Sequence, residues 1–552
     1  MEKSVHYIMD IQGMTCTSCE HHVGRALEAA GASNIRVSFR RGQAEFQAPA
    51  DFSMEKAQQL IVDAGYTPQG VRMTDEKSPE RVSFGSADYD LVVIGSGSAA
   101  FAAAIEARGA GAKVLMIERG TLGGTCVNVG CVPSKTLLRA SEIHHMALHH
   151  PFAGLRTTAS TPDLGEVVAD KDRLVATMRQ TKYADLLGEY DIEFLQGEAR
   201  FVDSAHLRVG DRVIHGGHYL IATGARPRIP DIPGIDTVNY LTSTTALDLT
   251  AIPEHLIVVG SGYIALELGQ MFRHWGSHVT LIQRGPTLLP GYDAEIRRVM
   301  QEVLENEGIR VMTGVTYDRV EQKGSQKIVY VTRNGVTEPI IGDQLLVAAG
   351  RVPNTEALDL PVAGVQQGDL GQPMVDGTLM TANPRIYAAG DVTLGPQFVY
   401  VAAYQGKLAA QNALGLRPSP ATVRLDVVPA VTFTQPSLAT VGMTEAQAKR
   451  AGLSVKTAVL PLDAVPRALA NHETRGVFKM VAEEESGRIL GVQAVAENAG
   501  DVIYAATLAV KFGLTITDLT DTLAPYLTMA EGLKLTALTF DQDVSKLSCC
   551  AG

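Results

Sequence analysis

Six cysteines fall in three close pairs: Cys16 with Cys19, Cys126 with Cys131, and Cys549 with Cys550. A structural disulfide framework spreads its cysteines to close long loops, and a chain of 552 residues has no need of one. Close pairs suit thiol redox chemistry or the capture of a soft metal ion. In Gly13-Met14-Thr15-Cys16-Thr17-Ser18-Cys19 the two thiolates are spaced to share one ion. A Cys126–Cys131 disulfide would close a ring of six residues. Loop-closure entropy gives such a ring about 2 kcal/mol, which suits a bond meant to open and close. A helix is expected to start near Pro133, and its N-terminus would favour a thiolate at Cys131. At the tail, adjacent Cα atoms lie about 3.8 Å apart, whereas disulfides span roughly 4.4–6.8 Å. Cys549 and Cys550 are therefore read as two free thiols able to seize a soft ion.

Glycine spacing supplies the second chemistry. Leu91-Val92-Val93-Ile94 leads into Gly95-Ser96-Gly97-Ser98-Ala99-Ala100, and Leu256-Ile257-Val258-Val259 leads into Gly260-Ser261-Gly262-Tyr263-Ile264-Ala265. The first glycine of each permits a tight turn, and the second lets backbone approach a pyrophosphate. The third position needs a small residue, here Ala100 and Ala265, and the helix N-terminus faces the phosphate charge. Each unit then returns as a strand. Glu118 lies 23 residues after Gly95, where a carboxylate accepts hydrogen bonds from a ribose 2′-OH. The matching position after Gly260 is Gln283, followed by Arg284. Loss of the acid beside a new cation suits a 2′-phosphate. These differences assign FAD to the first unit and NADPH to the second, with NADH use left open.

The elements that must position these residues fall into blocks. Residues 1–69 form a small module, with strands at Val5–Met9, Ile35–Phe39 and Gln43–Phe46 and helices at Glu20–Ala30 and Met54–Ala64. Residues 70–87 are polar and are expected as a linker. The FAD-binding domain is expected over 88–238 and, after an NADPH-binding domain at 239–355, again over 356–425. An α+β domain with the Cys-Cys tail occupies 426–552. His21 and His22 are read as helix-surface residues. His144, His145, His149 and His150 are read as a polar helix face, with no carboxylate or cysteine beside them in sequence.

Composition bounds the partners. Lys plus Arg is 48 and Asp plus Glu is 60, a net charge of -12, and without a basic stripe nucleic acid is excluded as a main partner. No apolar run approaches the roughly 18 residues needed to cross a bilayer. The start, Met1-Glu2-Lys3-Ser4, lacks a signal-peptide profile, so a cytoplasmic location is expected.

Together the motifs resemble two families. Residues 88–552 are similar to the flavoprotein pyridine nucleotide–disulfide oxidoreductases, on the two glycine turns, on Gly123-Gly124-Thr125-Cys126 through Cys131-Val132-Pro133-Ser134-Lys135, on Ala222-Thr223-Gly224-Ala225, on Ala349-Gly350-Arg351-Val352-Pro353-Asn354 and on Ala389-Gly390-Asp391. The N-terminal motif resembles the heavy-metal-associated domain. The resemblance implies an α/β fold: two Rossmann-like domains and an α+β dimerisation domain, preceded by a ferredoxin-like βαββαβ metal-binding domain. It implies Cys131 as the thiolate against the flavin and Cys126 as the exchanging thiol. Lys135 paired with Glu267 would lie near the flavin, and Tyr263 would gate the nicotinamide pocket. Asp391 would bind the ribityl chain, and Ala99, Gly124, Thr125, Ile264 and Gly350 would be further cofactor contacts. A homodimer with an active site shared between subunits is implied as well.

One segment departs from the family. Disulfide reductases carry a His-Pro-Thr segment whose histidine shuttles protons beside a glutamate. Here Ala524-Pro525-Tyr526-Leu527-Thr528 keeps Glu531 but places Tyr526 at the histidine. With an unperturbed pKa near 10, tyrosine is a poor shuttle at neutral pH. The module, Tyr526 and the Cys-Cys tail resemble the metal-reducing members. That implies NADPH-driven reduction of Hg(II), delivered by small thiols, to volatile Hg(0). Cys16, Cys19, Cys126, Cys131, Cys549 and Cys550 would then be metal ligands, with Tyr263 and Tyr526 steadying the ion. The implied source of Hg(II) is a membrane mercury transporter. Two alternatives stay open: an NADPH-dependent disulfide reductase whose tail relays electrons, and a metal carrier whose flavin part keeps thiols reduced.

Overall fold

A computed structural model of the chain describes residues 5–14, 17–39, 42–49, 52–74, 87–543 and 546. Cys16, Cys549, Cys550 and most of the expected linker lie outside the described residues. The chain divides into two units, Met1–Gly85 and Ser86–Gly552.

In the first unit the order is strand, helix, strand, strand, helix, strand, as the resemblance implied. Strands Val5–Gln12, Ser33–Ser38, Gln43–Ala48 and Thr67–Thr74 form one antiparallel sheet, with Val5–Gln12 between the third and fourth strands. Gln43–Ala48 alternates partly buried and buried side chains, which sends Ala44, Phe46 and Ala48 into the core. Val23 and Leu27 of helix Thr17–Ala29 and Ile61 of helix Met54–Asp63 close the other side. Ser53 caps the second helix by accepting from the Lys56 N–H. The last strand runs to Thr74, so ordered structure enters the stretch expected as linker from residue 70. Pairing of Thr67–Thr74 with Val5–Gln12 accounts for this, since a polar edge strand reads like a linker in sequence.

The second unit holds two parallel sheets. In the first, Tyr89–Ile94, Val114–Glu118 and Glu193–Gln196 lie on one side of Arg212–Ile221, and Ile386–Ala388 pairs with its other side. The chain therefore leaves this sheet and returns more than 160 residues later to complete it. In the second, the parallel order is Arg310–Thr313, His278–Gln283, His255–Val259, Gln344–Val347. These strands are almost continuous runs of buried Val, Ile and Leu, as helices on both faces demand. The C-terminal part is a five-stranded antiparallel sheet, including Val477–Glu483 and Ile489–Ala496, packed on helix Ala499–Phe512. Among the described residues no helix is long and apolar enough to cross a membrane.

Candidate active site

Both glycine turns are built alike. Gly95 has φ +113° and Gly260 φ +126°, and a Cβ on either would sit 2.3 Å from a carbonyl oxygen of the neighbouring crossover, that of Ala222 or Ala348. Only glycine fits. Gly97 and Gly262 then cap helices Ser98–Gly109 and Tyr263–His274, whose free N–H groups face the turn. Nothing lies within 4 Å of a Cβ built on Gly262, so that face is open to a ligand. Ala99 and Ala100 are buried where helix Val399–Ala413 crosses, and Gly406 of that helix would place a Cβ 2.0 Å from the Ala99 carbonyl oxygen.

A groove runs from the first turn along the ends of the parallel strands. Its walls include Gly95, Gly97, Glu118, Gly124, Thr125, Thr223 and Asn354. Glu118 accepts from the Ser96 hydroxyl and the Gly120 N–H, both at 2.7 Å, at the end of its strand. The adjoining cavity is lined by Cys126, Cys131, Lys135, Tyr263, Ile264, Glu267, Arg351 and Asp391. Burial pushes the Asp391 carboxyl up, against the Arg351 guanidinium 3.7 Å away. Two buried polar atoms on these walls, Thr223 Oγ1 and Arg351 Nε, have no partner among the described residues. A long groove with a glycine floor, a strand-end carboxylate and unused polar atoms fits a bound dinucleotide such as FAD. Gly350, with φ +104°, forms the joint before Arg351, and its carbonyl accepts from the Arg228 N–H at 2.9 Å.

The cysteines stand at the cavity's other end. Cys126 lies on the short helix Gly124–Val129, and Cys131 is the first residue of Cys131–His149. The helix begins at Cys131, with Pro133 in its first turn as expected, because proline lacks only an N–H that the first turn leaves unpaired. Both thiols are free. A hydrogen bond from the Cys126 thiol lowers Cys131 to about 7, aided by the Lys135 charge and opposed by burial. The same bond and burial push Cys126 up. Above about pH 7 the pair thus holds one proton, with Cys131 the thiolate.

Lys135 sits one turn after Cys131, and its Nζ is 2.6 Å from Glu267 Oε2. The other Glu267 oxygen accepts from the Phe433 N–H at 2.9 Å, and Lys135 lies 4.5 Å over the Phe433 ring. Glu267 is one turn after Tyr263, whose phenol is pushed up by burial and so keeps its proton. Tyr183 went unnoticed in the sequence. It lies in a π-turn, Gln180–Ala184, meets Phe101 edge-on at 5.0 Å and bonds to the Ser98 hydroxyl, and burial pushes its phenol up. Only the aromatic type at that position could have signalled it.

Gln283 ends its strand and the exposed Arg284 follows. Tyr317 anchors this corner by donating to the Ile282 carbonyl at 2.9 Å. Tyr526 and Glu531 do not line the cavity of Cys126 and Cys131 in their own chain. Glu531 is buried at the start of helix Glu531–Leu538, burial raises its carboxyl, and its Oε2 has no partner among the described residues. Cys19 is buried in the N-terminal module. His21 and His22 are exposed, as expected, with His22 Nδ1 3.1 Å from the Tyr66 hydroxyl. The reading of His145 as a plain polar face needs correction. His274 and Glu307 lie beside it, brought from distant parts of the chain by packing of helix Cys131–His149 on helix Tyr263–His274.

Two nucleotide turns, with a dithiol and the buried Tyr263 in one cavity, define a nucleotide-dependent dithiol oxidoreductase. Comparison with known proteins agrees. Residues 89–406 match pyridine nucleotide-disulphide oxidoreductase, 428–537 match its dimerisation domain, and 8–67 match the heavy-metal-associated domain. The chain belongs to the pyridine nucleotide-disulphide oxidoreductase family. It is 57% identical to the mercuric reductase of Staphylococcus aureus, over 99% of each chain. It is 56% identical to that of Lysinibacillus sphaericus, again over 99% of each. Among solved structures it resembles the Cu(II) complex of the HOCl-induced flavoprotein disulfide reductase RclA from Escherichia coli. That match has a TM-score of 0.74 and 30% identity, covering 82% of this chain and 99% of that one.

Proposed function

We propose that this protein is an NADPH-dependent flavoprotein that reduces Hg(II) to volatile Hg(0) for mercury detoxification. The balanced reaction is NADPH + Hg(II) → NADP⁺ + H⁺ + Hg(0). The observation that carries the reading is a free dithiol with one thiolate near neutral pH, set against a dinucleotide cavity, in a chain 57% identical along its length to a mercuric reductase.

FAD, when bound, would take a hydride from NADPH and supply the electron pair to the Cys126–Cys131 disulfide or to the metal. Gly95, Gly97, Ala99, Ala100, Glu118, Gly124, Thr125, Gly350 and Asp391 form its cradle. Gly260, Gly262, Ile264, Gln283 and Arg284 hold NADPH, with Arg284 on the 2′-phosphate. Cys126 and Cys131 cycle between disulfide and dithiol. As a dithiol they bind Hg(II), a soft ion favouring two thiolates. The Cys126 hydrogen bond, aided by the Lys135 charge, keeps Cys131 ionised, and Glu267 pairs with Lys135. The Cys126 proton leaves as the metal binds. Cys549 and Cys550 of the partner subunit take Hg(II) from small thiols and pass it inward by thiolate exchange. Tyr263, and Tyr526 of the partner subunit, steady the ion with their phenols, and Glu531 of the partner subunit backs that tyrosine. Cys16 and Cys19 of the N-terminal module collect Hg(II) in the cytoplasm from a membrane mercury transporter. In this reading the FAD-binding domain spans 88–238 and 356–425, the NADPH-binding domain 239–355 and the interface domain 426–552.

The test is NADPH oxidation by the holoenzyme in excess small thiol, with and without Hg(II), while mercury vapour is collected from the same vessel. Oxidation that requires Hg(II) and matches mercury loss one for one is expected. Steady consumption of oxidised glutathione without mercury turnover would make the chain a disulfide reductase. Stoichiometric binding without NADPH use would make it a carrier.

A further inference from the structure

We propose that His145, His274 and Glu307 form a second metal site, for a borderline divalent cation of the Zn(II) class. Their donor atoms all lie within 4.8 Å of one another. His145 is on the last turn of helix Cys131–His149, His274 ends helix Tyr263–His274, and Glu307 follows helix Ala294–Asn306. Three separate elements converge on one point.

The donor chemistry suits such an ion. Two imidazoles and a carboxylate are the set that borderline ions take with an open position, whereas Hg(II) goes to thiolates. The rings of His145 and His274 stack at 4.0 Å, so the His145 ring must turn about its side-chain torsions to bring its in-plane lone pair to the ion faced by His274 and Glu307. Neither ring nitrogen of His145 has a hydrogen-bond partner among the described residues, so a lone pair is free for an ion. His274 Nε2 is 3.1 Å from Glu307 Oε2, a contact that an ion would replace. The outer contacts hold the carboxylate in place. Glu307 accepts from Gln270 Nε2 and Arg475 Nη1, each at 2.9 Å, and Arg475 is itself paired with Glu473 at 2.6 Å. The arginine charge is thereby offset, which leaves that of Glu307 for a cation. Such oriented carboxylates are typical of metal sites. A cavity of about 740 Å³ reaches His145 and His274, which gives an ion a way in.

The position gives the site a consequence. His145 lies fourteen residue steps along the helix from Cys131, about 21 Å at 1.5 Å each. An ion there ties together the far ends of the two helices whose near ends carry Cys131 with Lys135 and Tyr263 with Glu267.

The experiment uses full-length FAD-loaded protein carrying Cys16→Ala, Cys19→Ala, Cys549→Ala and Cys550→Ala, with the remaining pair oxidised. It is titrated with Zn(II) by calorimetry and with Co(II) by absorption and pulsed EPR. One ion per subunit with imidazole nitrogen and no sulfur among its ligands is expected. Loss of an outer-shell partner already costs roughly 10–100-fold in affinity, so His145→Ala should weaken Zn(II) by at least tenfold while the flavin spectrum stays unchanged. Glu307→Gln, which keeps the shape of the carboxylate, should do the same. Absence of stoichiometric binding, a sulfur-ligated ion, or binding unchanged in both variants would overturn the site. Imidazole ligation in the parent protein upholds it even if a variant fails to fold. None of these readouts depends on mercury turnover.

Discussion

Lys135 Nζ and Glu267 Oε2 meet at 2.6 Å where two helices cross, and one turn before each lies a cavity side chain, Cys131 before Lys135 and Tyr263 before Glu267. The ion pair therefore fixes the relative placement of the thiolate and Tyr263. It also sets the charge beside the sulfur.

Alkylation of Cys131 in the reduced enzyme should follow that charge. The Cys126 hydrogen bond is the largest influence lowering Cys131 to about 7, and Lys135 acts in the same direction. The thiolate is the reactive form, so the rate should fall as pH drops through about 7. Cys126→Ala should move the midpoint up the most, and Lys135→Met up by less. Iodoacetamide labelling across pH, read at the Cys131 peptide, tests both, and an unmoved profile in Lys135→Met would remove Lys135 from the account.

The glycines of the second turn should separate folding from binding. Gly260→Ala meets the Ala348 carbonyl at 2.3 Å with φ +126° and should cost about 1–3 kcal/mol of stability. Gly262→Ala meets nothing, so the melting temperature should hold while KM for NADPH rises. Thermal melts beside steady-state kinetics distinguish the two. Equal destabilisation would mean that Gly262 is a packing residue.

What was legible in the sequence was local. The turns and cysteine pairs declare themselves because sterics and thiol chemistry act over a few residues. The start of helix Cys131–His149 is legible to within two residues from Pro133, since proline favours a first turn. The end of strand Thr67–Thr74, from residue 70, reads as linker because its partner, Val5–Gln12, is distant in sequence. The Phe433 N–H on Glu267, and Glu307 beside His145, join residues 166 and 162 apart, which no periodicity reports.

Arg284 should decide the nicotinamide cofactor. It is exposed and pairs with no carboxylate among the described residues, so its charge is available to a 2′-phosphate. A hydrogen bond to a charged group is worth roughly 1.5–3 kcal/mol, so Arg284→Glu should lower kcat/KM for NADPH roughly ten- to hundredfold. The value for NADH should hold or rise. As a surface change it should leave stability within about 0.5 kcal/mol. Equal losses with both cofactors would place Arg284 outside the phosphate site.

Glu267→Gln provides the converse of Lys135→Met. The carboxylate charge of Glu267 raises Cys131 slightly, opposing Lys135. Its neutralisation should shift the alkylation midpoint down where Lys135→Met shifts it up. The amide can still accept from the Phe433 N–H, so the fold should lose only about 1–2 kcal/mol, much of the pair being screened because Lys135 is a third exposed. A midpoint that rises in both variants would mean that Glu267 acts by holding Lys135 against the sulfur rather than by its own charge. Opposite shifts would make the two charges independent contributors to the thiolate.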